Sequence, residues 1–411
     1  MYTTLDILET RISQAMAQVT GRKDCAAIVK PAAEARFGDY QANGVMALAK
    51  QVKANPRKLA EEVVARLDLS DLCERPEVAG PGFINLRLRP KFIVDRLLEV
   101  HLDREQHKYG SSFEHAIDRL GIAKAATSQT VVVDFSSPNV AKEMHVGHLR
   151  STIIGDCICR LLELKGHRVI RQNHVGDWGT QFGMLCALLS RRRQALAKAD
   201  ADVSNTLILA DMEKFYREAK ELYDTDETFA EQARQAVVGL HSGSQRWMTH
   251  WRQIVRESQK HYDQIYKRLD VSLDPSDTRG ESAYNSDLPA VVRDLKNQGL
   301  AKESDGAICV FPEGFKNKEG EPLPFIVQKS DGAFLYATTD LAAIRYRVGE
   351  LKANRIVYVT DSRQKLHFEM LFATARAAGW AASQVELVHV TFGSVLGEDG
   401  TPLKTRSVES V

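Results

Sequence analysis

Residues 129–172 constrain the fold more tightly than any other stretch of the chain. An apolar β-branched run, Val131-Val132-Val133, feeds a polar loop that closes on His145-Val146-Gly147-His148. An amphipathic helix then extends from about 147 to 164. Its apolar face is assigned to Leu149, Ile153, Ile154, Cys157, Ile158 and Leu161. Gly166 suits the carboxyl end of that helix, and Arg168–Gln172 is again strand-like. Strand, helix and strand at this spacing form a βαβ unit with a right-handed crossover, which predicts a parallel sheet and an α/β fold.

The 411 residues exceed what one compact core accommodates, so two or three domains are expected. Hydrophobic residues at 44% and charged residues at 27% fit a soluble globular protein. A net charge of +1 removes any global basic signature, so nucleic-acid binding must rest on local patches. No apolar run is long enough to span a membrane. The amino terminus, Met1-Tyr-Thr-Thr-Leu-Asp, lacks the features of a secretory signal. Cys25, Cys73, Cys157, Cys159, Cys186 and Cys309 are scattered without a paired spacing. Neither a metal site nor a disulfide framework is therefore expected, and a reducing cytoplasm is the natural setting.

Residues 1 to about 118 read as a separate α+β unit. Helices near 5–19 and 57–68 flank Phe37-Gly-Asp-Tyr-Gln-Ala-Asn-Gly44, and Gly82–Leu88 alternates like a strand. The polar stretch around 102–128 reads as a linker to a second, larger domain over 129–411. Within that domain, residues about 186–275 are charged and helical, with Arg191-Arg-Arg193, and look inserted into the sheet pattern. Residues 300–325 carry turn-forming Gly and Pro and suggest a small β-rich insertion. The sheet pattern then resumes. Ala333–Ala337 leads to a helix starting near Thr339, Arg355–Thr360 is a strand, Leu366–Ala378 a helix and Val385–Thr391 a strand.

Several segments fall where such strands end and can carry chemistry. His145 and His148, three apart across a glycine at a helix start, suit phosphate stabilisation, with free N–H groups and the positive end of the helix dipole beside them. The bland alternative is a pair of helix-start histidines bonded locally; a metal pair lacks a third ligand at fixed spacing. Lys142 offers a point charge to a polyphosphate, or is simply a solvated loop lysine. Phe392–Arg406, with three glycines and the basic Lys404-Thr-Arg406, is either a closing loop or an exposed hairpin. Asp340, in Tyr336-Ala-Thr-Thr-Asp340, either caps a helix or pairs with a cation, for which a guanidinium offers matched donors. Asp361–His367 occupies the same kind of place after the next strand. Ligands bind beyond the carboxyl ends of parallel strands, so all these segments should share one rim.

At these residues the chain resembles the arginyl-tRNA synthetases. His145-Val-Gly-His148 is similar to the HIGH signature of class I aminoacyl-tRNA synthetases. Ser136 to Asp156, His174–Gly183, Gly280-Glu-Ser282 and Tyr336–Asp340 resemble arginyl enzymes in family order over essentially the whole chain. The resemblance implies a Rossmann-like catalytic domain that adenylates L-arginine with ATP, Mg²⁺ accompanying the nucleotide, and transfers arginine to the 3′ end of tRNA(Arg). It assigns Ser137, Pro138, Asn139, His148, Tyr336, Asp340 and Gln364 to arginine, with Asp340 the guanidinium partner and Glu281 a second acid. It assigns His145, Gly147, His148 and Lys404 to ATP, and Lys142 as a partial stand-in for the mobile signature loop. Phe37, Tyr40, Gln41 and Asn43 match the segment that meets the tRNA elbow. No tightly bound protein metal, no membrane association and a monomeric, cytoplasmic protein are expected.

The chain departs from the family pattern at its end. The family continues into a helical anticodon-binding domain, whereas this sequence stops at Val411, and Val408 stands where the signature loop has glycine. Arginyl enzymes typically require bound tRNA for the first step. The departure therefore implies weak or absent aminoacylation by this chain, with arginine, ATP or RNA binding retained.

Overall fold

The computed structural model describes residues 3–109, 122, 124–179, 181–198 and 211–393. Two units emerge, Met1–Ala125 and Ala126–Val411. In the first, α1 (Thr4–Thr20) starts at a reciprocal cap between Thr3 and Asp6 and stops at Gly21, whose φ of 71° is left-handed. It packs Leu8, Ile12 and Met16 onto a four-stranded antiparallel sheet. The strands are β1 (Val29–Pro31), β2 (Tyr40–Ala42), β3 (Glu77–Ala79) and β4 (Phe83–Leu86), in the order β1-β2-β4-β3. Helices α2 (Gly44–Val52) and α3 (Pro56–Arg66) complete this core with Val45, Leu48, Leu59 and Val63.

Helix α4 runs from Pro90 to Tyr109 and corrects the expectation of a linker from 102. Polarity alone misleads there: Leu-Asp-Arg-Glu-Gln-His-Lys contains helix formers, and no glycine intervenes before Gly110.

The second unit is built on four parallel strands: β5 (Thr130–Asp134), β6 (Arg168–Gln172), β10 (Arg355–Asp361) and β11 (Glu386–Phe392), in the order β11-β10-β5-β6. Alternation along β5 and β10 covers both faces. Val131, Val133, Val357 and Val359 face α5 (Val146–Leu164). Val132, Ile356 and Tyr358 face α10 (Leu288–Asn297), α11 (Tyr336–Gly349) and α12 (Lys365–Ala377). Strand order reverses between β5 and β10, so the crevice beyond their carboxyl ends is the natural ligand site of such a sheet.

The buried face of α5 differs from the expected one. Ile153 and Leu161 are about half exposed and Cys157 is exposed, while Ser151, Thr152, Gly155, Asp156 and Cys159 turn inward. Polar bonding and close approach rotate the helix. Ser151 Oγ donates to the Val359 carbonyl at 2.5 Å. A Cβ on Gly155 would lie 2.2 Å from the Phe135 ring, so only glycine lets the helix sit so near the strand.

After β6, helices α6 (Gln181–Lys198), α7 (Met212–Thr225), α8 (Glu227–His241) and α9 (Gln245–Leu269) share a separate core containing Phe182, Phe215, Phe229 and Ile254. The three arginines of 191–193 act inside this bundle. Arg191 pairs with Asp226 at 3.0 Å, Arg192 with Glu218, and Arg193 bonds Gln253. Strands β7 (Ala301–Ser304), β8 (Ala307–Val310) and β9 (Phe325–Gln328) form a small antiparallel sheet. Ala333–Ala337 contributes only an isolated bridge at Phe334, and α11 already begins at Tyr336, so Tyr336 belongs to a helix start rather than a strand end. Among the described residues, no helix is long and apolar enough to cross a membrane.

Candidate active site on the rim of the parallel sheet

The loop from β5 to α5 has an unusual backbone. Ser136, Ser137 and Ala141 hold φ values of 71°, 49° and 64°, a left-handed region costly for residues with side chains. Hydrogen bonds fix that shape. Ser137 N–H donates to Asn173 Oδ1 at 3.0 Å, and Ser137 Oγ donates to Asp134 Oδ1 at 3.0 Å. Asn139 forms a bridge with Gly176, where Val140 N–H meets the Gly176 carbonyl and Gly176 N–H meets the Pro138 carbonyl. Below the loop, fully buried Arg347 donates to Asp134 Oδ2 at 2.7 Å and to Gln172 Oε1 at 2.5 Å. Burial opposes the charge on Arg347, yet the Asp134 carboxylate outweighs it and raises the pKa.

The two histidines cap α5 themselves, which changes the expectation of free N–H groups there. Gly147 N–H donates to His145 Nδ1 at 3.1 Å, and His145 N–H donates to His148 Nδ1 at 3.2 Å. The rings stack with centroids 3.8 Å apart. Because each Nδ1 accepts a hydrogen bond from a backbone N–H, the neutral tautomer carries its proton on Nε2, leaving two N–H donors at the rim. Burial lowers the pKa of both. Arg363 adds to this at His145, and His145 with Lys142 adds to it at His148, which falls to about 3. The pair is therefore neutral at physiological pH. The local reading and the ligand reading are compatible: Nδ1 caps the helix and Nε2 is spare.

Across the rim, α11 presents Asp340, whose Oδ2 lies 2.7 Å from His367 Nε2 and whose Oδ1 lies 3.9 Å from His174 Nε2. Asp340 does not cap α11, whose first residue is Tyr336, four positions earlier. Glu281, at the start of a 3₁₀ turn, has its pKa pushed up to about 8 by burial, then by the nearby carboxylates of Asp340 and Asp177. Asp177 is itself raised by burial and accepts from Ser282 N–H at 2.8 Å and Ser282 Oγ at 2.7 Å. A Cβ on Gly280 would strike that carboxylate at 2.3 Å, so the Gly280-Glu-Ser282 segment fits against Asp177 only with glycine. The exposed Tyr336 ring stands 5.0 Å from His367. Gln364 precedes α12, three residues before His367.

The structure thus brings Asp340 and Glu281 together and stacks His145 on His148. Lys142 lies over the Tyr216 ring at 5.0 Å. Lys404 lies outside the described residues. In the first unit, Gln41 Nε2 donates to Asn85 Oδ1 at 2.8 Å, Tyr40 packs on the core and Phe37 lies under Arg36. Sequence reasoning assigned no role to His174, Asp177 or His367, although each falls within a segment it singled out. Their partners lie on other elements, and nothing in local spacing signals that. Among the described residues no three His, Cys, Asp or Glu side chains gather in a group able to hold a metal ion.

Known proteins resemble this chain along most of its length. Residues 115–411 match the catalytic-domain model of class I (R) tRNA synthetases, and residues 6–88 match the arginyl tRNA synthetase N-terminal domain. An arginine–tRNA ligase of Hahella chejuensis is 51% identical over 400 residues, covering 97% of this chain and 66% of that protein. One from Nostoc sp. is 48% identical, covering 100% of this chain and 67% of its own length. The crystal structure of the Plasmodium falciparum arginyl-tRNA synthetase superposes with a TM-score of 0.74 at 32% identity, over 95% of this chain and 65% of that one. The chain spans about two thirds of the length of these relatives. With both family models in their expected order and the rim geometry of the sheet, the chain belongs to the arginyl-tRNA synthetase family of class I synthetases.

Proposed function

We propose that this chain activates L-arginine with ATP to arginyl-adenylate and transfers arginine to the 3′ end of tRNA(Arg). The observation that carries the reading is the opposed character of the two sides of one rim. Asp340 and Glu281 suit a guanidinium, and the neutral His145–His148 pair suits phosphate oxygens. In this reading Ser137, Pro138, Asn139, Tyr336, Gln364 and His148 complete the arginine site. His145, Gly147, Lys142 and Lys404 serve ATP, and Mg²⁺ enters on the nucleotide's phosphates as part of the substrate. A carboxylate oxygen of arginine attacks the α-phosphorus, the bond to the β-phosphate oxygen breaks, and pyrophosphate leaves. A ribose hydroxyl of tRNA then attacks the adenylate carbonyl and AMP leaves. No protein nucleophile is required: positioning and charge neutralisation supply the rate.

Residues 1–118, with Phe37, Tyr40, Gln41 and Asn43, act as the tRNA-elbow unit, and residues 129–411 as the catalytic domain of a monomeric cytoplasmic protein. That the relatives bear the name arginine–tRNA ligase favours this reading over a fragment that only binds. Arginine-dependent ATP–pyrophosphate exchange, with and without tRNA, tests it. Asp340→Asn removes the charge partner of the guanidinium, and arginine binding should weaken by about 2 kcal/mol or more, some thirtyfold. Unchanged arginine affinity by calorimetry rejects the role of Asp340.

A further inference from the structure

Helix α9 reaches the strained loop after β5 along a single face. Ser258, Tyr262 and Tyr266 stand four residues apart, so they form one stripe, and all three are buried. Ser258 Oγ accepts from Ala141 N–H at 3.1 Å. Tyr262 OH donates to the Asn139 carbonyl at 2.7 Å. Tyr266 OH lies 2.7 Å from Ser136 Oγ and accepts from Asn173 Nδ2 at 2.9 Å. The stripe therefore holds residues 136, 139 and 141, two of which have left-handed backbones. Val140, Ala141 and Val175 pack into the core of the α6–α9 bundle. Two turns earlier on α9, the Trp251 indole N–H donates to the Asp177 carbonyl at 2.8 Å, beside the segment that carries Glu281. Phenylalanine would fill the same core space as these tyrosines without any hydroxyl to satisfy. Each hydroxyl of the stripe bonds the loop, Ser258 Oγ also donating to the Ile254 carbonyl of its own helix at 3.0 Å.

We propose that α9 is the positioning element of the arginine pocket: Ser258, Tyr262 and Tyr266 hold Ser136–Ala141 in its strained shape, so arginine affinity depends on hydroxyls that never touch arginine. The inference rests on the arginine-site reading above. In the 411-residue chain, Tyr262→Phe and Tyr266→Phe keep the rings and remove only the hydroxyls. L-arginine and Mg·ATP binding are measured separately by calorimetry. Each variant should weaken arginine binding about two- to tenfold, and the pair more than either, with ATP affinity within about twofold of the wild type. In pyrophosphate exchange, KM for arginine should rise while kcat holds. Ser258→Ala, a smaller change, keeps the test decisive if a tyrosine variant fails to fold. A fall in thermal stability with arginine affinity unchanged overturns the positioning role, as does equal loss of arginine and ATP binding. Wild-type protein that binds no arginine overturns the pocket reading itself.

Discussion

Glu281 offers a sharp quantitative test, because its protonation state should follow arginine. Burial and the neighbouring Asp340 and Asp177 push its pKa up to about 8, so the carboxyl is mostly protonated in the free protein at neutral pH. A guanidinium placed between Asp340 and Glu281 favours the ionised form and pulls that pKa back toward the ordinary range, near 4.3. The free group sits above its bound value, so binding releases a proton and affinity rises with pH. Worked through linkage, the affinity penalty is about 100-fold at pH 6, about 11-fold at pH 7 and about twofold at pH 8. Arginine should therefore bind about ninefold tighter at pH 7 than at pH 6, with about 0.9 proton released at pH 7. Calorimetry in buffers of different ionisation enthalpy counts that proton directly. His174 and His367 also face Asp340, so the comparison must be with Glu281→Gln, which keeps the shape and removes this proton alone. If the variant retains the wild-type slope, or the wild type releases no proton, the assignment of Glu281 to the guanidinium is wrong.

Two other predictions follow from buried geometry. His148→Asn keeps an acceptor near the Nδ1 position that caps His145 N–H, whereas His148→Gln keeps a donor near Nε2; if the spare N–H stabilises the phosphates, the glutamine variant retains more pyrophosphate-exchange activity, and the asparagine variant loses about 10²-fold in kcat. Activity kept by the asparagine variant and lost by the glutamine one would reduce His148 to a helix cap. Arg347→Leu leaves Asp134 buried without its partner and should lower unfolding free energy by about 3–5 kcal/mol in urea titrations. A loss below about 1 kcal/mol would show that water or Ser137 compensates the carboxylate.

How far the sequence could be read depended on whether a residue's role is set by its chain neighbours. The β5–α5–β6 unit was legible to within a residue, because a β-branched run, the His-Val-Gly-His start and Gly166 punctuate it locally. The buried face of α5 was not. Hydrophobic periodicity puts Ile153 and Leu161 inside, but Ser151 bonds a strand some 200 residues away and Gly155 yields to the Phe135 ring. Polar residues that face inward for a specific bond defeat a periodicity argument by construction. The same holds at the rim. Asp340 stood out as a lone acid at an element boundary, but its partners His174 and His367 come from other loops and helices. Tyr262 and Tyr266 look like ordinary core aromatics on an amphipathic helix until the fold shows what their hydroxyls reach.

The placement of charge on the rim resolves a conflict built into the proposed reaction. One site must hold a cationic side chain and a polyanion within bonding distance of each other's reactive ends. A cluster of fixed positive charges would serve the phosphates and repel the guanidinium. Here the groups nearest the α5 start are imidazoles kept neutral by burial and by neighbouring positive groups, Arg363 at His145 and Lys142 with His145 at His148, so they donate hydrogen bonds without adding a positive charge. The acids lie on the α11 side, Asp340 paired with His367 and Glu281 with its pKa pushed up to about 8 by burial and its acidic neighbours. Local polarity of this kind needs no excess of basic residues, which is why a net charge of +1 is compatible with a nucleotide site.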